Sequence, residues 1–534
     1  MWRDAGALLH YVVASEGMDN QVEESLEIVV LGGGTAGWMA AAGLAALLPA
    51  SRCRVRLVES EEIGIVGVGE ATLPHIKNFN DSLGIDEAEM MRATNATFKL
   101  GVQFVDWGFK GSSYIHPFGV HGSADSGLGF HQQWRRSLDA GRDWDIQEFS
   151  FACMAAQSNR FDFPATGKKT VNSTYSYAYH FDASLYAKFL RRLSELRGVI
   201  RTEGKVRDVE QDADSGDIRA LIMESGERIA GDFFVDCSGF RSLLLGGKLG
   251  AEWEDWSKWL PCDRALPVPT ERCGELTPYT RVTAMEAGWR WRIPLQHRTG
   301  NGYVFSSRFI DEDKARQDLL DALDEPTLAE PRLLKFQAGR RVRSWQRNCV
   351  ALGLSGGFLE PLESTSIYLI QIAIMHLLPL LPGKRYDQRL VDEFNRRMDL
   401  EYERIRDFLI LHYHLNSRND AELWRYCRAM EVPESLQRKI ALFSHSGIVE
   451  QYKDGLFTPP SWLSVYLGQG LTPQHFSPLA EAIPVNRLLK ELDDLREDIR
   501  DRIDELPKHS SFIARYANAQ QASDMLLHEA EGRV

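Results

Sequence analysis

The residues of this 534-residue chain whose types and spacing could do chemistry fall into three groups. Gly32-x-Gly34-x-x-Gly37 follows an apolar, β-branched run (LEIVVLG) and opens a helical stretch, Trp38–Leu48. Glycines so placed permit a tight turn, let the backbone approach a pyrophosphate and allow close helix–strand packing, while the helix N-terminus supplies unpaired N–H groups. Glu59 ends the next strand-like run, RVRLVE, where a carboxylate accepts from ribose hydroxyls. A glycine turn with no ligand would not need strand, helix and acid in this order. The pattern predicts dinucleotide binding through Gly32, Gly34, Thr35, Ala36, Gly37, Trp38 and Glu59.

The second group is Glu360 and Glu363, in LEPLESTS, just ahead of an apolar helix beginning near Ser366. A carboxylate beside an apolar pocket can accept a proton and stabilise a developing cation. It can also simply serve the helix macrodipole. Thr365 and Ser366 fall at that helix's N-terminus, where outward N–H groups favour an anion, although Ser364 or Thr365 acting as an N-cap fits equally well. The third group is Lys77, in EATLPHIKNF. A desolvated lysine acts as an amine or hydrogen-bond donor, but by its own context Lys77 reads as an ordinary solvated helix lysine. His412 and His414 lack a third ligand at metal spacing and read as structural or surface residues, with no metal.

The elements that must position these groups begin as strand, turn, helix, strand, the start of a nucleotide-binding α/β unit. Two later strands also run into glycines: Phe234-Val-Asp236-Cys-Ser238-Gly239 and Asn348-Cys-Val-Ala-Leu-Gly353. Three such blocks, with Asp236 and Gly353 at the cofactor, favour FAD, and no second fingerprint for NAD(P)H is visible. About residues 111–175 the chain is rich in Gly, Ser, His and aromatics without clear period, which predicts an irregular insertion near the substrate. From Tyr386 onward Leu390, Phe394, Met398, Tyr402, Ile405 and Leu409 recur at helical spacing. The division expected is an N-terminal extension (1–25), an FAD-binding domain (26–385), a helical substrate lobe (386–517) and a frayed tail (518–534).

Composition bounds the function. Hydrophobic residues are 44% and charged residues 26%, the profile of a globular chain with no need of disulfide staples. The net charge of −13, without a basic stripe, argues against nucleic acid and anionic membrane. Seven scattered cysteines with no CxxC pair suggest neither zinc nor a disulfide framework, and fit a reducing cytoplasm. The apolar stretch Ala5–Ala14 lacks a basic flank and is not read as a signal peptide, and Ile367–Pro382, broken by Gln371, His376 and Pro379, is not read as a membrane span.

Four segments carry a family resemblance, in order: Gly32-Gly-Gly-Thr-Ala-Gly-Trp38, Val68-Gly69-Glu70-Ala71-Thr72-Leu-Pro74, Trp289-Arg-Trp291-Arg-Ile293-Pro294, and Phe358-Leu-Glu360-Pro361-Leu-Glu363-Ser364-Thr365. Together they resemble the flavin-dependent tryptophan halogenases over about residues 26–517. The resemblance implies an FAD-binding Rossmann-like (hydroxylase-type) α/β fold with an added, mostly helical substrate lobe. It implies FADH2 from a separate NAD(P)H-dependent reductase, O2, chloride or bromide, and hypohalous acid formed by way of a flavin hydroperoxide. It further implies Lys77 as the lysine that holds the hypohalous acid. Glu363 becomes the carboxylate that takes the arene proton. Thr365 and Ser366 become the halide site, with Ser366 where many members carry Gly. Trp289, Trp291, Ile293 and Pro294 become the segment separating flavin from substrate, and a homodimer is the family habit.

Tryptophan-specific members hold the amino acid's charged end with paired tyrosines, and Ser444–Lys453 has no such pair. The substrate expected is therefore indole, a substituted indole, a phenol, or a peptide- or carrier-bound aromatic, with free tryptophan disfavoured. An FAD-dependent aromatic hydroxylase is the alternative enzyme.

Overall fold

The computed structural model describes residues 25–516, apart from 63–68, 123–127, 168, 273, 382, 384, 453 and 454. The expected tail, all but the last residue of the expected N-terminal extension, Val68 and Cys273 therefore lie outside the described residues.

A six-stranded sheet runs in the order Trp345–Gln346, Cys349–Ala351, Phe233–Asp236, Leu26–Leu31, Cys53–Glu59, Ile200–Glu203. The first pair is antiparallel and the others are parallel. Its central strands are buried on both faces, which is why they read as unbroken apolar runs. In register, Leu31 stands beside Asp236 and Asp236 beside Ala351. The three glycine blocks, far apart in sequence, thus meet at one carboxyl end of the sheet, where α/β folds bind ligands.

The helix Thr35–Leu47 packs between this sheet and the helices Ala183–Leu196 and Thr365–Leu377. Gly32 has φ +118°, and a Cβ there would meet the Cys237 carbonyl oxygen at 2.2 Å. A side chain at Gly37 would strike the Gly32 carbonyl oxygen at 1.8 Å. Both glycines are demanded by geometry as well as by any ligand.

A seven-stranded sheet holds the Trp-x-Trp segment in the order Leu334–Lys335, Arg264–Thr270, Thr299–Phe305, Gly288–Pro294, Thr280–Ala284, Gly101–Val105, Ser113–Pro117. A smaller sheet, Gly69–Ala71, Ala178–Asp182, Thr97–Lys99, sits beside it. The 111–175 stretch is more regular than expected. It forms the strand Ser113–Pro117 and the helices Phe130–Asp139 and Phe151–Gln157. These are short and separated by turns, so no single period spans them.

Beyond residue 386 the helices Gln388–His414, Glu422–Ala429, Glu434–Ser446, Pro459–Gly468 and Val485–Glu505 follow. Phe394, Met398, Tyr402, Ile405 and Leu409 face the core, as their spacing predicts.

Replacing Gly32 with Ala is expected to destabilise the protein by roughly 1–3 kcal/mol, through left-handed strain and the Cys237 contact. Urea denaturation checks this, and an unchanged midpoint would refute the steric account.

Candidate active site

Strand alternation builds the centre of the site. In Thr97–Lys99, Phe98 enters a cluster with Phe161, Phe163, Tyr177 and Phe512. Its neighbours Thr97 and Lys99 must then point the other way. Thr97 Oγ1 donates to the Pro294 carbonyl at 2.8 Å, which ties this strand to the end of the Trp-x-Trp segment.

Lys99 is fully buried. Its Nζ donates to the Thr72 carbonyl at 3.0 Å and to Ser364 Oγ at 2.9 Å, and lies 5.0 Å from the Phe118 ring centroid. Loss of water pulls its pKa down to about 7, against the opposing pull of the Glu363 charge.

The two carboxylates three residues apart are set to opposite ends of the scale. Glu363 is fully buried, which alone would raise its pKa, but His116 and His412 outweigh burial and hold it at about 2. His116 Nδ1 lies 2.9 and 3.0 Å from its two oxygens, and His412 Nε2 lies 2.8 Å from Oε1. Glu360 is also fully buried, and desolvation pushes it up to about 7. Its Oε2 accepts from Trp289 Nε1 at 2.8 Å and Tyr413 Oη at 2.5 Å, while Oε1 has no hydrogen-bond partner among the described residues. One carboxylate is thus an anion and its neighbour is poised to be a neutral acid near pH 7, a division of roles made by environment alone.

Glu363 leads into the helix Thr365–Leu377 through Ser364, which sits in the left-handed region at φ 60°. No side chain caps this helix, no acid occupies its first turn, and the buried Thr365 Oγ1 has no partner. The N-cap reading of Ser364 or Thr365 therefore gives way to an open, positively polarised helix end. Trp289, Trp291 and Ile293 lie on one face of the strand Gly288–Pro294 and are buried. Trp289 fastens that strand to the carboxylate loop through Glu360.

The structure does not bring Lys77 to Glu363. Ile76, Phe79 and Asn80 fill the inner face of the helix His75–Ser82, and Lys77 lies off that face, 36% exposed. Its Nζ bonds both Asp81 carboxylate oxygens at 3.0 Å. The structure leaves Lys77, expected at the site, beside Asp81, and places Lys99, 22 residues later, against the loop that carries Glu363. Sequence context hid Lys99 because TFKLG reads as part of a packed strand. The available signal was a lysine inside an otherwise apolar run, since burial there requires a partner.

Of the two readings of His412, structural or surface, burial leaves the structural one: it is fully buried and its Nε2 lies 2.8 Å from Glu363 Oε1. His414 Nδ1 lies 3.3 Å from the Cys427 carbonyl oxygen. Among the described residues no His, Cys, Asp or Glu group could hold a metal ion.

At the sheet's carboxyl end, Gly34 caps the helix Thr35–Leu47 with no side-chain bond and no acid in its first turn, and open space surrounds Gly34. The first-turn N–H groups of Thr35, Ala36 and Gly37 are thus presented to a pyrophosphate. Glu59 lies over Gly33, accepting from Trp38 Nε1 at 3.3 Å and from Arg201 Nε at 2.5 Å. Gly353, with φ +62°, packs on Ala36. These features fit a dinucleotide. Asp236 differs from expectation: its carboxylate accepts from Ser238, Leu244 and Leu245, so it shapes the loop and is consumed by it.

The profile of the tryptophan halogenase family matches residues 27–485. Tryptophan 6-halogenase SttH of Streptomyces toxytricini is 36% identical over 91% of this chain and 98% of its own. The chain belongs to the tryptophan halogenase family.

Two solved flavin-dependent halogenases are similar throughout. BrvH from Brevundimonas sp. BAL3 has a TM-score of 0.89 at 44% identity, covering 93% of this chain and 100% of its own. Xcc4156 from Xanthomonas campestris has a TM-score of 0.89 at 47% identity, covering 92% and 98%. The protein is accordingly an FADH2-dependent halogenase of aromatic compounds with O2 and halide as co-substrates, on the FAD-binding Rossmann-type fold. Flavin-dependent halogenases generally need an aromatic substrate and a separate reductase that supplies reduced flavin. Among the described residues no helix is long and apolar enough to cross a membrane.

Replacing Trp289 with Phe in this halogenase leaves the buried Glu360 one donor short. A loss of about 1–3 kcal/mol is expected in chemical denaturation. Wild-type stability would mean that the Trp289–Glu360 bond contributes nothing.

Proposed function

We propose that Lys99 and Glu363 are the working pair of this halogenase, and that its substrate is indole or an indole derivative. The observation that carries this reading is the buried Lys99 ammonium, bonded to the residue next to Glu363. Bound reduced FAD, with O2 and halide, supplies hypohalous acid. FAD would be held by the helix end at Thr35–Gly37 and by Glu59, and halide by the amides of Thr365 and Ser366.

Lys99 Nζ holds hypohalous acid by hydrogen bonding or as a haloamine. In the hydrogen-bonded route the ring's electron pair attacks the halogen, the O–X bond breaks as C–X forms, and Lys99 donates a proton to the leaving hydroxide. Glu363 faces the cationic ring and takes its proton, so the C–H electron pair returns to the arene. Trp289, Trp291, Ile293 and Pro294 form a buried wall that keeps the arene from the flavin.

In the substrate lobe, Phe408 stacks on Phe457 at 3.8 Å and meets Trp462 edge-on at 5.1 Å, an aromatic surface suited to a flat ring. Glu450 is paired with Arg438 at 2.6 Å, and Tyr452 lies against Arg404 and Lys439. No tyrosine pair stands there to anchor a free amino acid, which favours indole over tryptophan. An NAD(P)H-dependent reductase, a reducing cytoplasm and a homodimer complete the proposal. The buried, unpaired cysteines among the described residues support the compartment, and light scattering tests the dimer.

With FAD, a flavin reductase, NADH and bromide, indole is expected to gain one halogen by mass spectrometry. Lys99→Ala should reduce that product roughly 100-fold or more while flavin reoxidation continues, and Lys77→Ala should leave it unchanged. Loss with Lys77→Ala but not Lys99→Ala would reverse the assignment. A halide-independent gain of oxygen would instead favour the hydroxylase.

A further inference from the structure

His412 stands on the helix Gln388–His414 with both ring nitrogens engaged. Nδ1 lies 2.8 Å from the Phe408 carbonyl oxygen and Nε2 lies 2.8 Å from Glu363 Oε1. A backbone carbonyl can only accept, so Nδ1 carries a hydrogen. Nε2 then either carries the second proton of an imidazolium or accepts one from a protonated Glu363. Either way, one proton lies on the line between Nε2 and Oε1.

Aromatic rings shield that position from water. The His412 ring is wrapped by Phe104, Trp107 and Phe408 at 4.8, 6.2 and 4.9 Å between centroids, and its exposure is zero. Gln469 Nε2 donates to the His412 backbone carbonyl at 2.8 Å, which fixes the end of the helix. The titratable groups around the pair are His116 and Tyr114 from the strand Ser113–Pro117, Lys99 from its own strand, and Glu360 with Tyr413 beyond.

We propose that His412 is a positioning residue that stores one proton against Glu363 Oε1, keeping Glu363 anionic and aimed so that Oε2, which His116 Nδ1 also approaches at 3.0 Å, receives the proton of the halogenated ring. This rests on Glu363 being the carboxylate that meets the arene. The His412–Glu363 pair holds one proton at rest. When the arene C–H bond breaks, its electron pair returns to the ring, an O–H bond forms on Glu363, and the pair holds two. Return to rest releases one proton to solvent.

Two variants test this, with indole, bromide and a reductase as above. His412→Phe removes the donor. The proposal expects kcat for bromoindole to fall roughly 100-fold, KM to hold, and bromoindole formed per hypobromous acid escaping to a chemical trap to drop in step. His412→Gln restores a neutral amide donor that does not titrate. It is expected to recover most of kcat with KM unchanged. His412→Phe with wild-type kcat, or a folded His412→Gln with kcat no higher than that of His412→Phe, would overturn the proposal. Full activity in Glu363→Gln would instead overturn the reading on which it rests. Circular dichroism of His412→Gln controls for folding.

Discussion

The structure turns on one buried cation. Lys99 lies where water does not reach, and a charged ammonium there is tolerable only beside compensating groups. The Thr72 carbonyl, Ser364 hydroxyl, Phe118 ring and nearby Glu363 charge provide them. Desolvation and compensation balance so that the amine changes protonation near neutral pH, the condition in which it can serve both as donor and as nucleophile. Glu363 stays an anion in the same dry place because His116 and His412 address it from two further elements. Each group makes the burial of the others possible.

Holding such groups together requires a rigid frame, and the frame is assembled from distant segments. Phe98 sinks into an aromatic cluster and thereby aims Lys99. Thr97 fastens that strand to Pro294, and Trp289 fastens the same Trp-x-Trp strand to Glu360 on the carboxylate loop. The Trp-x-Trp segment therefore has a structural role of its own: it locks Lys99 and the carboxylates into one unit. The parallel sheet performs the matching task at the other end, where register brings three glycine blocks to one edge.

Local patterns were legible in the sequence where the chemistry itself is local. The dinucleotide loop, Glu59 at its strand end, the carboxylate pair before an apolar helix and the long C-terminal helix all follow from short-range spacing. The fold class followed from them. What stayed hidden depends on long-range contact. Lys77 and Lys99 are both single lysines near apolar residues, and only tertiary packing shows that one pairs with Asp81 at the surface while the other is enclosed. His116 and His412 approach Glu363 from 247 and 49 residues away, so no spacing announces them. Asp236 looked like a cofactor ligand because the strand-to-glycine pattern marks the right place. Its oxygens are spent on their own loop.

The most direct test of this account is a carbon-13 NMR titration of protein labelled at lysine Cε, with Lys99→Met used to assign the resonance. The account predicts one lysine signal titrating with a midpoint at about 7 that disappears in the variant. If the Lys99 signal instead titrates alongside the exposed lysines, near the ordinary value of about 10.4, the lysine is solvated and the buried-pair description of the site is wrong.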